Sequence, residues 1–130
     1  MQIVTQLAVF LENRPGTLAR VCDSLGAAGV NIHALATSDT VDHTVLRMVV
    51  NDPRRALFLF EEHHVLVVES DVLMLDADNK PGSLAEAARR LSKARINIEY
   101  LYCATSPKTR RGVIIMRVSN PKKALAALQA

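Results

Sequence analysis

Two short turns contain the residues of this chain whose types and spacing could do chemistry. Each turn reads asparagine, cation, proline, glycine and hydroxyl residue: Asn13, Arg14, Pro15, Gly16 and Thr17, then Asn79, Lys80, Pro81, Gly82 and Ser83. A turn that leads into a helix presents free backbone N–H groups, which suit a carboxylate. Proline stiffens the turn, and glycine lets a ligand approach the main chain. The pattern therefore indicates an anion-binding turn in two copies.

A purely structural interpretation of the same residues is also open. Asparagine, proline and glycine are ordinary turn residues, and the hydroxyl groups of Thr17 and Ser83 could cap the helices that follow. The residue types of one turn do not decide between ligand binding and helix capping.

Other site chemistry has little support in the sequence. The four histidines are His33, His43, His63 and His64, and the adjacent His63 and His64 would diverge on a helix, so we predict no metal site and no cofactor. The chain has no Gly-x-Ser-x-Gly elbow and no Gly-x-x-x-x-Gly-Lys loop. We therefore expect no catalytic residues and a protein that is not an enzyme.

Composition argues against nucleic-acid and membrane partners. The net charge is only +3, and the predicted strands at 43–50 and 113–118 have no aromatic residue on which a base could stack. No apolar run approaches the roughly 20 residues that a membrane span needs. The N-terminus has no export signal, and Cys22 and Cys103 have no paired spacing. We expect a cytoplasmic protein.

The elements that must position the two turns follow from the hydrophobic pattern. Residues 3–11 alternate as a strand, residues 18–28 repeat apolar side chains at helical spacing, and Gly29 lies where a left-handed residue would end that helix. The remaining predicted elements of this first copy are a strand at 31–37, a turn at 38–42, a strand at 43–50, a helix at 53–62 and a strand at 65–69. This order is that of ferredoxin-like folds, with an antiparallel sheet and both helices on one face.

The same module is written twice. The sequence Gly-Val-Asn-Ile at 29–32 returns as Arg-Ile-Asn-Ile at 95–98, and each copy contains an asparagine that opens a strand, Asn31 and Asn97. The elements of the second copy are predicted at 72–77, 83–95, 96–104, 112–119 and 122–128. The predicted fold class is therefore α+β, with two tandem ferredoxin-like βαββαβ domains at 1–70 and 71–130.

The second copy has no residues left for its final strand. That strand is either missing or supplied by another segment or subunit, and without it an edge near residues 72–75 would be uncovered and ready to pair. Domains of about 60 to 70 residues also have marginal cores. We therefore expect a homodimer.

Residues 12–18, followed by residues 29–32, resemble the ACT domains, small regulatory modules that bind amino acids in many enzymes of amino-acid metabolism. They are most similar to the serine-binding regulatory domain of phosphoglycerate dehydrogenases. The resemblance implies that Asn13 with Asn31, and Asn79 with Asn97, hold an amino-acid effector across an interface between ACT units. The serine-binding pattern has a histidine two residues before the turn asparagine, where this chain has Leu11 and Ala77. This difference implies room for a more apolar effector.

The resemblance also implies what the chain does. It implies a free-standing pair of ACT domains that senses a free amino acid and allosterically regulates a partner enzyme of amino-acid metabolism. The alternative is an interaction or oligomerisation module for a partner enzyme that binds no ligand, a hypothesis motivated by Leu11 and Ala77. A screen against the twenty amino acids separates the two hypotheses.

Overall fold

The computed structural model describes residues 1–39 and 42–130 of the 130-residue chain. Its elements are, in chain order, β1 Gln2–Glu12, α1 Thr17–Ala27, β2 Ile32–Asp39, β3 His43–Val50, α2 Pro53–Glu62, β4 Val67–Asp78, α3 Ser83–Lys93, β5 Ile98–Ala104, β6 Arg111–Val118 and α4 Pro121–Gln129. Thr40 and Val41, part of the turn predicted at 38–42, lie outside the described residues. The α+β class and the tandem ferredoxin-like order of elements are confirmed.

The chain forms two compact units. The first unit is Thr5–Ser70, and the second combines Met1–Val4 with Asp71–Ala130. Strands β1 and β4 each contribute residues to both units because the division falls within them.

In the first unit β3 lies between β1 and β2, and both pairings are antiparallel. The chain leading into β4 lies on the other side of β1, where Phe10 N donates to Leu66 O at 3.1 Å. One face of this sheet packs against α1 and α2, and the fully buried Leu7 and Val9 of β1 are part of that core. The alternation of apolar residues along β1 thus directs its odd-numbered side chains toward the helices.

The second unit repeats this arrangement, with β6 between β4 and β5. Its core is built on Leu73, Leu91 and Met116, and Ile3 from the start of β1 packs against it. The final strand of the second unit, which could not be located from the sequence, is therefore formed by the N-terminal residues Met1–Val4.

Three details of the predicted elements are wrong. The strands predicted at 65–69 and 72–77 form one continuous strand, β4, because the polar residues between them continue the extended backbone. The edge near 72–75 is not uncovered, since β4 lies between β1 and β6 and Val72 is fully buried. Helix α3 ends at Lys93 rather than at Arg95, because Arg95 has a φ of 57°, which is left-handed.

Among the described residues, no helix is both long and apolar enough to cross a membrane.

Candidate functional site

The first turn is built around a left-handed glycine. Gly16 has a φ of 86° and precedes α1, which begins at Thr17. Backbone bonds close the turn, from Arg14 N to Glu12 O at 3.0 Å and from Thr17 N to Arg14 O at 3.3 Å. Because glycine has no Cβ, the chain enters the helix in this conformation without side-chain strain. The first N–H groups of α1 therefore point back toward the turn.

The second turn has the same backbone. Gly82 has a φ of 90° and precedes α3 at Ser83, and Lys80 N donates to Asp78 O at 2.9 Å. Pro15 and Pro81 lie in the middle of the two turns, directly before the glycines. The two turns thus enter their helices through the same left-handed backbone conformation.

The capping interpretation of Thr17 and Ser83 is wrong. Gly16 and Gly82 occupy the cap positions, and within the described ranges no side-chain bond caps α1 or α3. The Ser83 hydroxyl donates to Asp78 O at 2.7 Å and so closes its own turn. The Thr17 hydroxyl differs: its Oγ1 is buried, and no hydrogen-bond partner for it occurs in the part of the chain that the structure describes.

A cavity of about 320 Å³ lies beside the first turn. Its walls include Asn13 and Thr17 from the turn, Thr37 and Asp39 from β2, and Leu18 from the first turn of α1. Polar side chains and an exposed leucine therefore share one concave surface next to the start of a helix. Such a surface suits a small zwitterion, which carries both charges and an apolar or polar side chain.

The two asparagines of the turns are held by the hairpin loops beside them. Asn13 N donates to Asp42 O at 3.1 Å, and Asn79 N donates to Arg110 O at 2.8 Å. The Asn79 side chain is held further, since its Nδ2 donates to Thr109 O at 2.7 Å and to Ser106 O at 3.3 Å. In the second unit the amide nitrogen thus positions the loop between β5 and β6.

The cations of the turns are held by neighbouring carboxylates. Arg14 Nε lies 3.0 Å from Glu12 Oε2, and Lys80 Nζ lies 3.8 Å from Asp78 Oδ2. All four side chains are more than half exposed, so each pair contributes at most about 1 kcal/mol. Since each cation is paired in this way, backbone N–H groups and asparagine amides are the better candidates for holding a carboxylate.

The structure does not bring Asn31 to Asn13 within one unit. Asn31 precedes β2, where Asn31 N donates to Asn51 Oδ1 at 2.8 Å, whereas Asn13 lies beside the opposite end of that strand. Eight residues of extended strand separate the two sites by about 25 Å. Asn97 has the equivalent position in the second unit, and its N–H donates to Ser119 Oγ at 3.2 Å.

Sequence reasoning missed the leucines that follow the turns. Leu18 is 45% exposed, although it was expected to lie on the apolar stripe of its helix, and Leu84 is 38% exposed. Their position directly after the hydroxyl residue, at the first exposed turn of a helix, is the signal that could have identified them. Each lies two residues after the glycine of its turn, and Leu18 lines the cavity of the first turn.

The described residues include no group of three or more His, Cys, Asp or Glu side chains that could hold a metal ion. His63 and His64 both lie at the end of α2, and His64 has a φ of 56°, so their backbones already diverge.

Comparison with known proteins identifies relatives along the whole chain. The family model described as an ACT domain pair matches residues 1–128. A solved structure of a protein from Bacteroides thetaiotaomicron is 31% identical, with a TM-score of 0.90, and the match covers 98% of this chain and 87% of that one.

Two more distant structures share the fold. The ligand-free regulatory subunit of aspartate kinase from Thermus thermophilus is 16% identical with a TM-score of 0.71, and 99% of this chain and 96% of that one are covered. The regulatory subunit of aspartate kinase from Thermus flavus is 18% identical with a TM-score of 0.66, with 99% and 92% covered. No curated protein matches the chain.

Proposed function

Because the chain belongs to the family of ACT domain pairs, we propose that it is a regulatory protein that binds a free amino acid at its Asn-Pro-Gly turns. The observation that carries this proposal is the cavity at the first turn, which places Asn13 beside the N-terminal end of α1. The function is sensing rather than catalysis.

The chemistry of the turn fits the two charges of an amino acid. Its carboxylate would accept hydrogen bonds from N–H groups of the first turn of α1 that follow Thr17, whose own N–H donates to Arg14 O. The positive end of the helix dipole also favours an anion there. The Asn13 amide can both donate and accept, so it can meet either the carboxylate or the ammonium group. Gly82 and Asn79 would act in the same way in the second unit.

We propose that Asn31 and Asn97 contact the ligand from another unit or another chain. Within one unit the two kinds of asparagine are about 25 Å apart, which exceeds the length of any amino acid. A ligand that meets both kinds must therefore draw them from different units. The family resemblance implies such a ligand.

We further propose a cytoplasmic homodimer whose ligand acts on a partner enzyme of amino-acid metabolism. Its regulatory part is supported by the aspartate kinase regulatory subunits that share the fold.

The test is a thermal-shift screen against the twenty amino acids, followed by calorimetry. A ligand at 100 times its Kd stabilises the folded protein by about 2.7 kcal/mol, which a thermal shift detects readily. Asn13→Leu and Asn79→Leu leave a charged group of the ligand or a backbone donor unpaired, so each should cost about 1 to 3 kcal/mol of binding at its own site. An unchanged affinity in both variants, or no binding at millimolar concentrations, would refute amino-acid sensing.

The second candidate is an interaction module that binds no ligand. Its support is the Asn79 side chain, whose amide nitrogen is engaged by Ser106 O and Thr109 O. Under this hypothesis the screen yields no shift, and the protein still associates with a partner enzyme.

A further inference from the structure

We propose that the effector of the first unit has an apolar side chain, which enters a cleft between α1 and α2. This inference rests on the proposed function and adds the ligand class. It places the carboxylate at the first turn and the side chain on the helix-covered side of the sheet.

The cleft is a cavity of about 440 Å³ within the first unit. Its inner walls are apolar and include Leu11, Val21, Leu25, Phe60 and Val65. Small-molecule sites commonly measure about 300 to 1,000 Å³, and an apolar cavity of about 150 Å³ already holds benzene. The cleft therefore has room for a side chain of the size of leucine, methionine or phenylalanine.

The cleft adjoins the cavity of the first turn. Leu11 and Thr17 line both spaces, so they form the wall that the two cavities share. Leu11 occupies the position at which the serine-binding pattern has a histidine. An apolar residue there suits a ligand whose side chain passes toward the core.

The Thr17 hydroxyl supplies a polar end for the same ligand. Its Oγ1 is buried and lacks a partner in residues 1–39 and 42–130. A buried polar group without a partner is unfavourable, and such groups in folded proteins call for a specific explanation. Oγ1 is covered in this conformation, so a change of the Thr17 rotamer would bring it to the shared wall. A carboxylate there would accept a hydrogen bond from the hydroxyl while the apolar chain extends into the cleft.

The second unit provides an internal comparison. Six residues that line the cleft in the first unit have repeat partners that line a cavity of about 290 Å³ in the second: Leu11 and Ala77, Thr17 and Ser83, Arg20 and Glu86, Val21 and Ala87, Ser24 and Arg90, Phe60 and Leu128. The two spaces are therefore the same place in the fold.

In the second unit, charged and polar side chains line that place. Arg90 bridges α3 and α4, since its Nη1 donates to Leu128 O at 3.0 Å and its Nη2 donates to Glu86 Oε1 at 3.1 Å. The Ser83 hydroxyl is already bonded to Asp78 O. Ser24 is too short to make such a bridge, and the cleft of the first unit is larger and more apolar than its counterpart. The Thr17 hydroxyl has no partner among the described residues.

The ligand preference follows from the burial of the side chain. Each methylene group that enters the cleft should tighten binding roughly fourfold, which predicts about fiftyfold for leucine over alanine at the first unit. Glycine and serine should bind weakly because their side chains do not reach the cleft.

The experiment is calorimetry with leucine, phenylalanine, alanine, glycine and serine on the full chain. The Arg20→Glu/Ser24→Arg double variant transplants the Glu86–Arg90 pair into the first unit and should fill the cleft. It is expected to lower the affinity for leucine at least tenfold while changing that for alanine less than twofold. Ala27→Arg is the matched control, because Ala27 is exposed on α1 and does not line the cleft.

Thr17→Val provides a second, nearly isosteric test that does not fill the cleft. Loss of one hydrogen bond should weaken leucine binding roughly threefold to tenfold, and Thr17→Ser should restore most of it.

The outcomes separate this inference from the proposed function. Binding confined to glycine, serine or charged amino acids would overturn the inference and leave amino-acid sensing intact. So would a leucine affinity that the double variant and Thr17→Val leave unchanged, or a loss that is equal for alanine and leucine. If no amino acid binds to the unmodified protein, both proposals fail.

Discussion

Helices α1 and α3, which precede Asn31 and Asn97, are each followed by a residue in the left-handed conformation. In the first unit this residue is a glycine, which adopts the conformation easily, and in the second it is an arginine, which does not. Gly29 has a φ of 74° and Arg95 has a φ of 57°. The hydrogen bonds around them are the same, from Val30 N to Leu25 O at 2.9 Å and from Ile96 N to Leu91 O at 3.0 Å. A Cβ added to Gly29 would meet no atom within 4 Å, so a substitution there tests backbone conformation without a steric clash.

These observations predict opposite effects for two exchanges. A left-handed conformation costs a residue with a Cβ about 1 to 2 kcal/mol, and the extra freedom of glycine in the unfolded chain offsets about 0.5 to 1 kcal/mol of this cost. Arg95→Gly should therefore raise the free energy of unfolding by about 0.5 to 1 kcal/mol, and Gly29→Ala should lower it by a similar amount. Gly26→Ala is the control. Because Gly26 is helical and exposed, alanine there should raise the free energy of unfolding by about 0.5 kcal/mol.

Urea denaturation followed by circular dichroism measures the three changes. The midpoints should move in the stated directions with unchanged slopes, since the amount of surface exposed on unfolding stays the same. If Gly29→Ala and Gly26→Ala change stability in the same direction, left-handed backbone strain is not what distinguishes the two positions. A loss of stability in Arg95→Gly would show that the Arg95 side chain contributes more than its backbone conformation costs.

Two further predictions concern the scaffold around the turns. Asp52 and Asn120 cap α2 and α4, and their side chains accept hydrogen bonds from Arg55 N and Lys123 N at 3.1 Å each. Alanine at either position should lower the free energy of unfolding by about 1 kcal/mol. Equal urea midpoints in both variants and the parent would exclude a capping role. Gly112→Ala should lower the free energy of unfolding by about 1 to 3 kcal/mol, because the new Cβ would collide with the Thr105 side chain. Combining it with Thr105→Gly should recover stability. No recovery would contradict this explanation.

The fold could be predicted from the sequence because its signals are local. Alternation in β1, helical spacing in α1 and the glycine at position 29 each act within a few residues. The second copy has the same order of elements as far as α4. The final strand of the second unit depended instead on pairing across most of the chain. Residues 3–11 read correctly as a strand, but no local pattern shows that Met1–Val4 belong with Asp71–Ala130.

The candidate site could be predicted only as a backbone shape. Asparagine, proline and glycine at fixed spacing indicate a turn with free N–H groups. The left-handed conformation of Gly16 and Gly82 is known only from the structure. The partner of a hydroxyl group is decided by distances of a few tenths of an ångström. Thr17 and Ser83 were therefore equivalent in sequence and differ in the structure.

Equivalent residues of the two copies agree at some positions and differ at others. The differences indicate which unit binds the apolar effector that we propose. The turns and the strand starts agree in both copies, since Gly16 and Gly82 share a conformation and Asn31 and Asn97 each lie directly before a strand. Residues that face the cleft differ, because Ser24 is replaced by Arg90. The first unit thus combines the larger, more apolar cleft with a hydroxyl that has no partner among the described residues. Our proposals therefore imply anion-binding turns in both units and one apolar effector per chain.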